Sequence, residues 1–227
     1  MMATASQTLS ALAIHIGADI AYAEPDRRWP HAMAARDTVQ RAARICRHAG
    51  IVEQLTFGGE HATVSAVVCA LVRAGAVLTN DGLLVLTFSG HTRRGDGPLD
   101  TARWCLFDGW LELSEIARHL ALLPATARLV VICDTCYAAT IAKTLVGAQR
   151  TLVVAGCSDE QTMVDRLRSE FIVRLEAFVC SAPSPGSLEH LRALLEADTP
   201  DCERPCVWTN TASWWSAPPL ELRSNAS

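Results

Sequence analysis

The sequence predicts an α/β fold: a mostly parallel central sheet flanked by helices on both faces. Three observations predict it. Apolar, partly β-branched runs alternate along the chain with segments of helical period. The strand segments, such as Leu83–Phe88 (LLVLTF) and Leu129–Ile132 (LVVI), are apolar almost throughout rather than at every second position, the mark of strands buried on both faces. Several strands stop abruptly at a glycine or a polar cluster, and right-handed crossovers place such carboxyl ends along one edge of the sheet.

Each element follows in order. Leu9–Ile16 (LSALAIHI) reads as a buried strand closed by Gly17, and Ala18–Pro30, with two prolines and mixed charge, as a loop. His31–His48 has apolar residues at helical spacing (Met33, Ala34, Val39, Ala42, Ala43, Cys46) and ends at Gly50, a C-cap. Ile51–Phe57 is a short strand, Ala62–Leu78 a second helix, and Asn80-Asp81-Gly82 a turn. Leu83–Phe88 is a strand ending at Ser89-Gly90-His91, and Thr92–Thr101 is a polar, Gly-rich surface loop. Trp104–Phe107, Asp108-Gly109 and Trp110-Leu111 form a small hairpin on an Asp-Gly turn. Ser114–Leu122 is a helix with Ser114 as its cap. The strand through Ile132 runs into Asp134-Thr135-Cys136-Tyr137, and Ala138–Val146 is a helix. Thr151–Gly156 is a further strand and Ser158–Arg166 a polar loop. Glu170–Val179 and Ser187–Glu196 are amphipathic helices, and Cys206–Thr209 is a last short strand.

Composition bounds the rest. The 227 residues are 50% hydrophobic and 19% charged, which suits one domain with a sizeable core. That domain is expected to span 1–227, with its core at about 9–215 and a frayed polar tail. A net charge of −4 gives no reason to expect a nucleic acid or an anionic membrane as partner. No apolar run approaches membrane-spanning length. Leu9–Tyr22 lacks a positive leader and is broken by His15 and Asp19, so it reads as a core strand rather than a secretory signal. Nine scattered cysteines with no secretory context point to a reducing, cytoplasmic setting. Basic residues are almost all Arg, Lys143 being the only lysine, which with abundant Ala and Val suggests a bacterial gene.

Two strand ends on the common edge carry reactive groups. Ser89-Gly90-His91 ends one and Asp134-Thr135-Cys136 another, with one hairpin and one helix between them. A Cys and a His brought together from separate strand ends are the parts of a thiol nucleophile and its acid/base partner. A helix N-terminus behind Cys136 favours the thiolate. Taken singly, each residue has a plainer reading. Buried Cys is usually packing. Cys133-Asp-Thr-Cys136 is formally a redox CxxC, although Cys133 belongs to the strand. Asp134 could cap the following helix, and Asp37 could be a solvated helix residue. Cys202 and Cys206 are too few for zinc. His15 reads as packing or pocket lining, and Trp214-Trp215 as core or edge packing.

SGH after one apolar strand and D-x-C after the next long one resembles the caspase-like peptidases, most closely their bacterial and metacaspase branch, whose members read SGHG and D-x-CHSG. The separation of His91 and Cys136 is near the ~50 residues of caspases. The likeness extends to ALAIHIG as an opening strand, to Ala35-Arg36-Asp37 before its helix, and to Ala155–Thr162. It covers roughly Leu9 to Trp215.

The resemblance implies a caspase-like fold and a cysteine endopeptidase. Cys136 would be the nucleophile that forms an acyl-enzyme, and His91 the acid/base. The backbone N–H groups of Cys136 and Thr92 would form the oxyanion hole. Asp37 and Asp134 match positions that select Arg or Lys in metacaspase-like members, and Asp159 lies in a loop within reach of the same pocket. The partners implied are a protein or peptide substrate and a regulatory protein or signalling assembly. Thr92 stands where relatives carry Gly, and Tyr137-Ala138-Ala139 where they carry His-Ser-Gly. The loop that carries calcium ligands in many metacaspases shortens here to Asp108–Glu115. No cofactor or metal is therefore assigned, Asp96, Asp100 and Asp108 making at most a weak calcium set. The short segment Ala138–Arg150 favours activity as one chain over cleavage at Lys143 or Arg150. The departures motivate a second reading, an inactive caspase-homology interaction module. A CxxC redox protein is the third.

Overall fold

The computed structural model describes residues 8–21, 32, 34–94, 102–145, 149–158, 169–180, 186–197 and 204–212. In chain order the elements are β1 (Leu9–Gly17), α1 (Ala35–His48), β2 (Gln54–Gly58), α2 (Val64–Val77), β3 (Leu78–Ser89), β4 (His91–Arg94), β5 (Ala102–Cys105) and β6 (Trp110–Glu112). They continue with α3 (Leu113–Leu120), β7 (Arg128–Asp134), α4 (Thr140–Thr144), β8 (Arg150–Ala155), α5 (Glu170–Cys180), α6 (Leu188–Glu196) and β9 (Cys206–Thr209).

The central sheet runs β2-β1-β3-β7-β8-β9. Its first five strands are parallel and β9 is antiparallel to β8. The apolar runs are explained by layers on both faces. Leu84, Leu86, Leu129, Val131 and Val153 pack in a core with residues of α2, α3 and α4. Their strand neighbours Leu83, Val85, Val130, Ile132 and Val154 pack in a second core with residues of α1, α5 and α6. Successive strand side chains point to opposite faces, so a strand covered on both sides must be apolar at every position.

Three expectations are corrected by the fold. Asn80-Asp81-Gly82 is not a turn between elements but lies within β3, which follows α2 directly. Leu9 pairs with Leu78 and Ala11 with Leu83, so the extra residues of β3 bulge out between them. A Cβ at Gly82 would stand 2.9 Å from the Thr79 carbonyl oxygen, which is why this bulge takes glycine. Ser114 does not cap α3, whose N-cap is Glu112 and which has no side-chain cap. Thr92 and its neighbours, expected in a loop, form β4, which pairs antiparallel with β5 and leads with β6 into a separate three-stranded sheet. The Asp-Gly turn does join β5 and β6, and Cys105 faces Trp110 across it.

His15 is fully buried in β1, with Nδ1 3.1 Å from the Thr87 hydroxyl on β3. Burial pushes its pKa down to about 4. In the unfolded chain an imidazole titrates near ~6.5, so between those values the unfolded state binds more protons. This contribution to stability is complete above that unfolded value and is lost as pH falls toward 4, at up to about 1.4 kcal/mol per pH unit. We expect the melting temperature to fall between pH 7 and pH 5, and His15→Asn to flatten that slope in thermal melts.

Candidate active site

The site starts where β3 and β7 end side by side. Ser89 stands opposite Asp134 in the last rung of their ladder, and paired parallel strands lie about 4.8 Å apart. The next residue after β3 is Gly90. A Cβ there would sit 2.9 Å from the Ala18 Cβ and 3.1 Å from its carbonyl oxygen. Only glycine lets this strand end press so close to the end of β1, where the Ala18 amide donates to the Ser89 carbonyl at 2.9 Å. The next residue after β7 is Thr135, buried at 3% exposure. Its hydroxyl donates to the Gly90 carbonyl at 2.7 Å and lies 2.8 Å from the Thr92 hydroxyl. His91 is thus flanked by two residues that are both tied to the one preceding Cys136. His91 and Cys136 are each only half-buried, so both can meet a solute.

The turn that carries Cys136 is held from beneath. Tyr137 has φ 54°, the only positive value at a described non-glycine residue. A left-handed backbone at a side-chain-bearing residue costs on the order of 1–3 kcal/mol, so the surroundings must hold it. Cys157, fully buried just after β8, does part of this. Its thiol donates to the Thr135 carbonyl at 3.1 Å, and its sulfur accepts from the amides of Ala138 and Tyr137. The Cys157 carbonyl accepts from the Ala139 amide at 3.2 Å. Burial pushes the Cys157 thiol up to about 12, so it acts as a neutral S–H donor and not as a nucleophile. The expected helix Ala138–Val146 begins only at Thr140 because this turn occupies Cys136–Ala139.

Asp134 points to the other side of the sheet and is 5% exposed. The Thr38 hydroxyl of α1 donates to its Oδ2 at 2.5 Å, and the Ser169 hydroxyl before α5 donates to its Oδ1 at 2.9 Å. These hydroxyls orient the carboxylate from the α1 and α5 side.

No family model and no curated protein matches the sequence. Solved structures do. A structural-genomics protein of Geobacter sulfurreducens superposes with a TM-score of 0.78 at 19% identity, covering 93% of this chain and 98% of that one. The Drosophila initiator caspase Dronc superposes with a TM-score of 0.60 at 13% identity, covering 87% of this chain and 78% of that one. The fold is caspase-like. At these identities the likeness is one of fold.

Thr92 lies on β4, paired with Trp104 of β5, and its side chain meets Thr135. Asp37 lies on α1, one residue before the Thr38 that bonds Asp134. The Asp37 carboxylate takes the Arg41 guanidinium at 2.7 Å, and Arg41 with Arg44 clamps Glu176 of α5. The next residue, Thr38, faces Asp134 instead, because consecutive helix positions point about 100° apart. Asp159, Asp96, Asp100, Cys202 and Trp214-Trp215 lie outside the described residues. Asp108 accepts from the Val64 amide at 2.7 Å and so occupies the start of α2. Among the described residues no group of three or more His, Cys, Asp or Glu could hold a metal. No described helix is long and apolar enough to cross a membrane.

Cys133 is wholly buried inside β7, and burial, then the charge of Asp134, pushes its thiol far above the ordinary range. It sits in a central strand and not in the first turn of a helix, the geometry redox CxxC pairs require. Four residues that hold the site were given no role from sequence: Thr38, Thr135, Cys157 and Ser169. Thr135 carried the one usable signal, a hydroxyl inside the D-x-C motif itself.

Proposed function

We propose that this chain is a cysteine endopeptidase of the metacaspase-like branch that cleaves peptide bonds after Arg or Lys. The observation that carries the reading is the Thr135 link, which holds the Gly90–Thr92 segment against the strand end of Cys136. His91 accepts the thiol proton and the Cys136 sulfur attacks the scissile carbonyl carbon. The negative oxygen that forms is met by the amides of Cys136 and Thr92. Collapse expels the amine, which takes its proton from His91, and water then hydrolyses the thioester. Asp134 supplies the negative charge for the basic side chain, since carboxylates bind guanidinium with matched geometry. Asp159 is a second candidate for that pocket. The substrate is a protein or peptide, the enzyme acts as a single chain without a metal, and a regulatory partner controls it in the cytoplasm.

A positional-scanning library of fluorogenic peptides tests this. Arg and Lys before the scissile bond are expected to give the fastest turnover, and Asp134→Asn to lower the rate for Arg about 10- to 100-fold more than for a neutral residue. Faster cleavage after Asp than after a matched Arg would refute the specificity. The left-handed Tyr137 beside the nucleophile favours one other reading, an inactive interaction module. That reading requires Cys136 to resist labelling by an arginyl peptide electrophile.

A further inference from the structure

Donor and acceptor chemistry fixes the direction of the hydrogen bonds around Thr135. The Gly90 carbonyl oxygen can only accept, so the single hydroxyl proton of Thr135 goes to it, over 2.7 Å. In the 2.8 Å contact with Thr92 the Thr135 oxygen must then accept, and the Thr92 hydroxyl donates. The result is a directed chain, Thr92 to Thr135 to the Gly90 carbonyl, in which each bond polarises the next. It closes around His91, because Gly90 and Thr92 are its two neighbours. On its other side Thr135 is fixed through its carbonyl by the Cys157 thiol at 3.1 Å. Thr135 also adjoins Cys136 directly. One side chain thus connects the backbone that carries the imidazole to the backbone that carries the thiol. The ladder between β3 and β7 ends one residue earlier, at Ser89 and Asp134, and β4 turns away into the second sheet.

We propose that Thr135 is a positioning residue, whose hydroxyl sets the separation of His91 from Cys136, with Thr92 as its donor. The inference rests on the peptidase reading above. It also gives a reason for Thr at position 92, since the second hydroxyl completes the chain. Valine matches threonine in shape and lacks the hydroxyl, and serine restores it.

The test uses the full-length protein and two readouts. The first is the pH dependence of Cys136 alkylation by iodoacetamide, followed by peptide mass spectrometry so that the other cysteines do not interfere. The second is kcat and KM on the best arginyl peptide. An imidazole held near a thiol displaces the alkylation profile toward low pH. Thr135→Val is expected to move that profile up by about one pH unit and to lower kcat about 10- to 100-fold with KM nearly unchanged. Thr135→Ser is expected to recover most of both, and to remain informative if the Val variant folds poorly. Val179→Ala in α5, buried in the opposite core, serves as a destabilised control whose profile should match wild type. If wild type turns over substrate and the Val variant matches it in profile and kcat, the role of Thr135 is overturned while the peptidase reading stands. If wild type shows neither turnover nor a displaced Cys136 profile, the peptidase reading itself fails, and this inference with it.

Discussion

Cys136→Ala is expected to reduce turnover of an arginyl peptide by about 10⁴-fold or more, with the melting temperature almost unchanged. In the peptidase reading the Cys136 thiol forms the acyl bond, so its loss removes the covalent route. The side chain is half-buried at the start of a turn, so the fold loses little. His91→Ala is expected to cost nearly as much, because a thiol without its base attacks mainly through the small thiolate fraction present at neutral pH. The double variant should be scarcely worse than either single one, since nucleophile and base act as a unit. Steady-state kinetics on the three variants checks this. Additive losses, or a Cys136→Ala protein with wild-type activity, would separate His91 from Cys136 and remove the dyad.

The largest stability effect is expected at a residue outside the dyad. Trp104 is 1% exposed and stacks on Phe88, ring centroids 4.1 Å apart and planes 4° apart. Phe88 belongs to the central sheet and Trp104 to β5, so this stack attaches the small sheet to the large one. Thr92 of β4 is the Cα partner of Trp104, and His91 rides on the same strand. Replacing a buried Trp with Ala costs about 3–5 kcal/mol. For a domain of this size that lowers the melting temperature by roughly 10 °C. Trp104→Phe keeps the stack and should cost about 1–2 kcal/mol. Urea melts with an unchanged slope should report these values, and activity per folded molecule should fall with Trp104→Ala, because β4 loses its neighbour. A loss below about 1 kcal/mol would mean that Leu111 and the rest of the core hold the sheet without the stack.

Much of the architecture was legible without coordinates. LLVLTF and LVVI read as strands covered on both faces, and SGH and DTC as their ends on one edge, because parallel strands with right-handed crossovers share their direction. The Asp-Gly hairpin between β5 and β6 was legible for a similar local reason, its turn chemistry. Less legible was β4. His91–Arg94 is polar and short, and its strand character comes from pairing with β5, which no local pattern announces. Asn80-Asp81-Gly82 carries turn chemistry, but the chain uses it to bulge within β3, since Leu78 already pairs with β1.

What the sequence determined by itself is the layered parallel sheet, its reactive edge, and the pair of side chains to test there. Those follow from periodicity and from residue order, which are properties of the chain alone. Only the tertiary structure decided which neighbours those side chains keep. It turned Asp37 toward Arg41 and put Thr38 against Asp134, 96 residues away. It set Cys157 beneath the Cys136 turn and tied Thr135 to Gly90 and Thr92, the residues on either side of His91. A hydroxyl or thiol has no long-range pattern in sequence. Its partner is chosen by which backbone the packed layers bring within 3 Å or so, and that is settled by the whole fold at once.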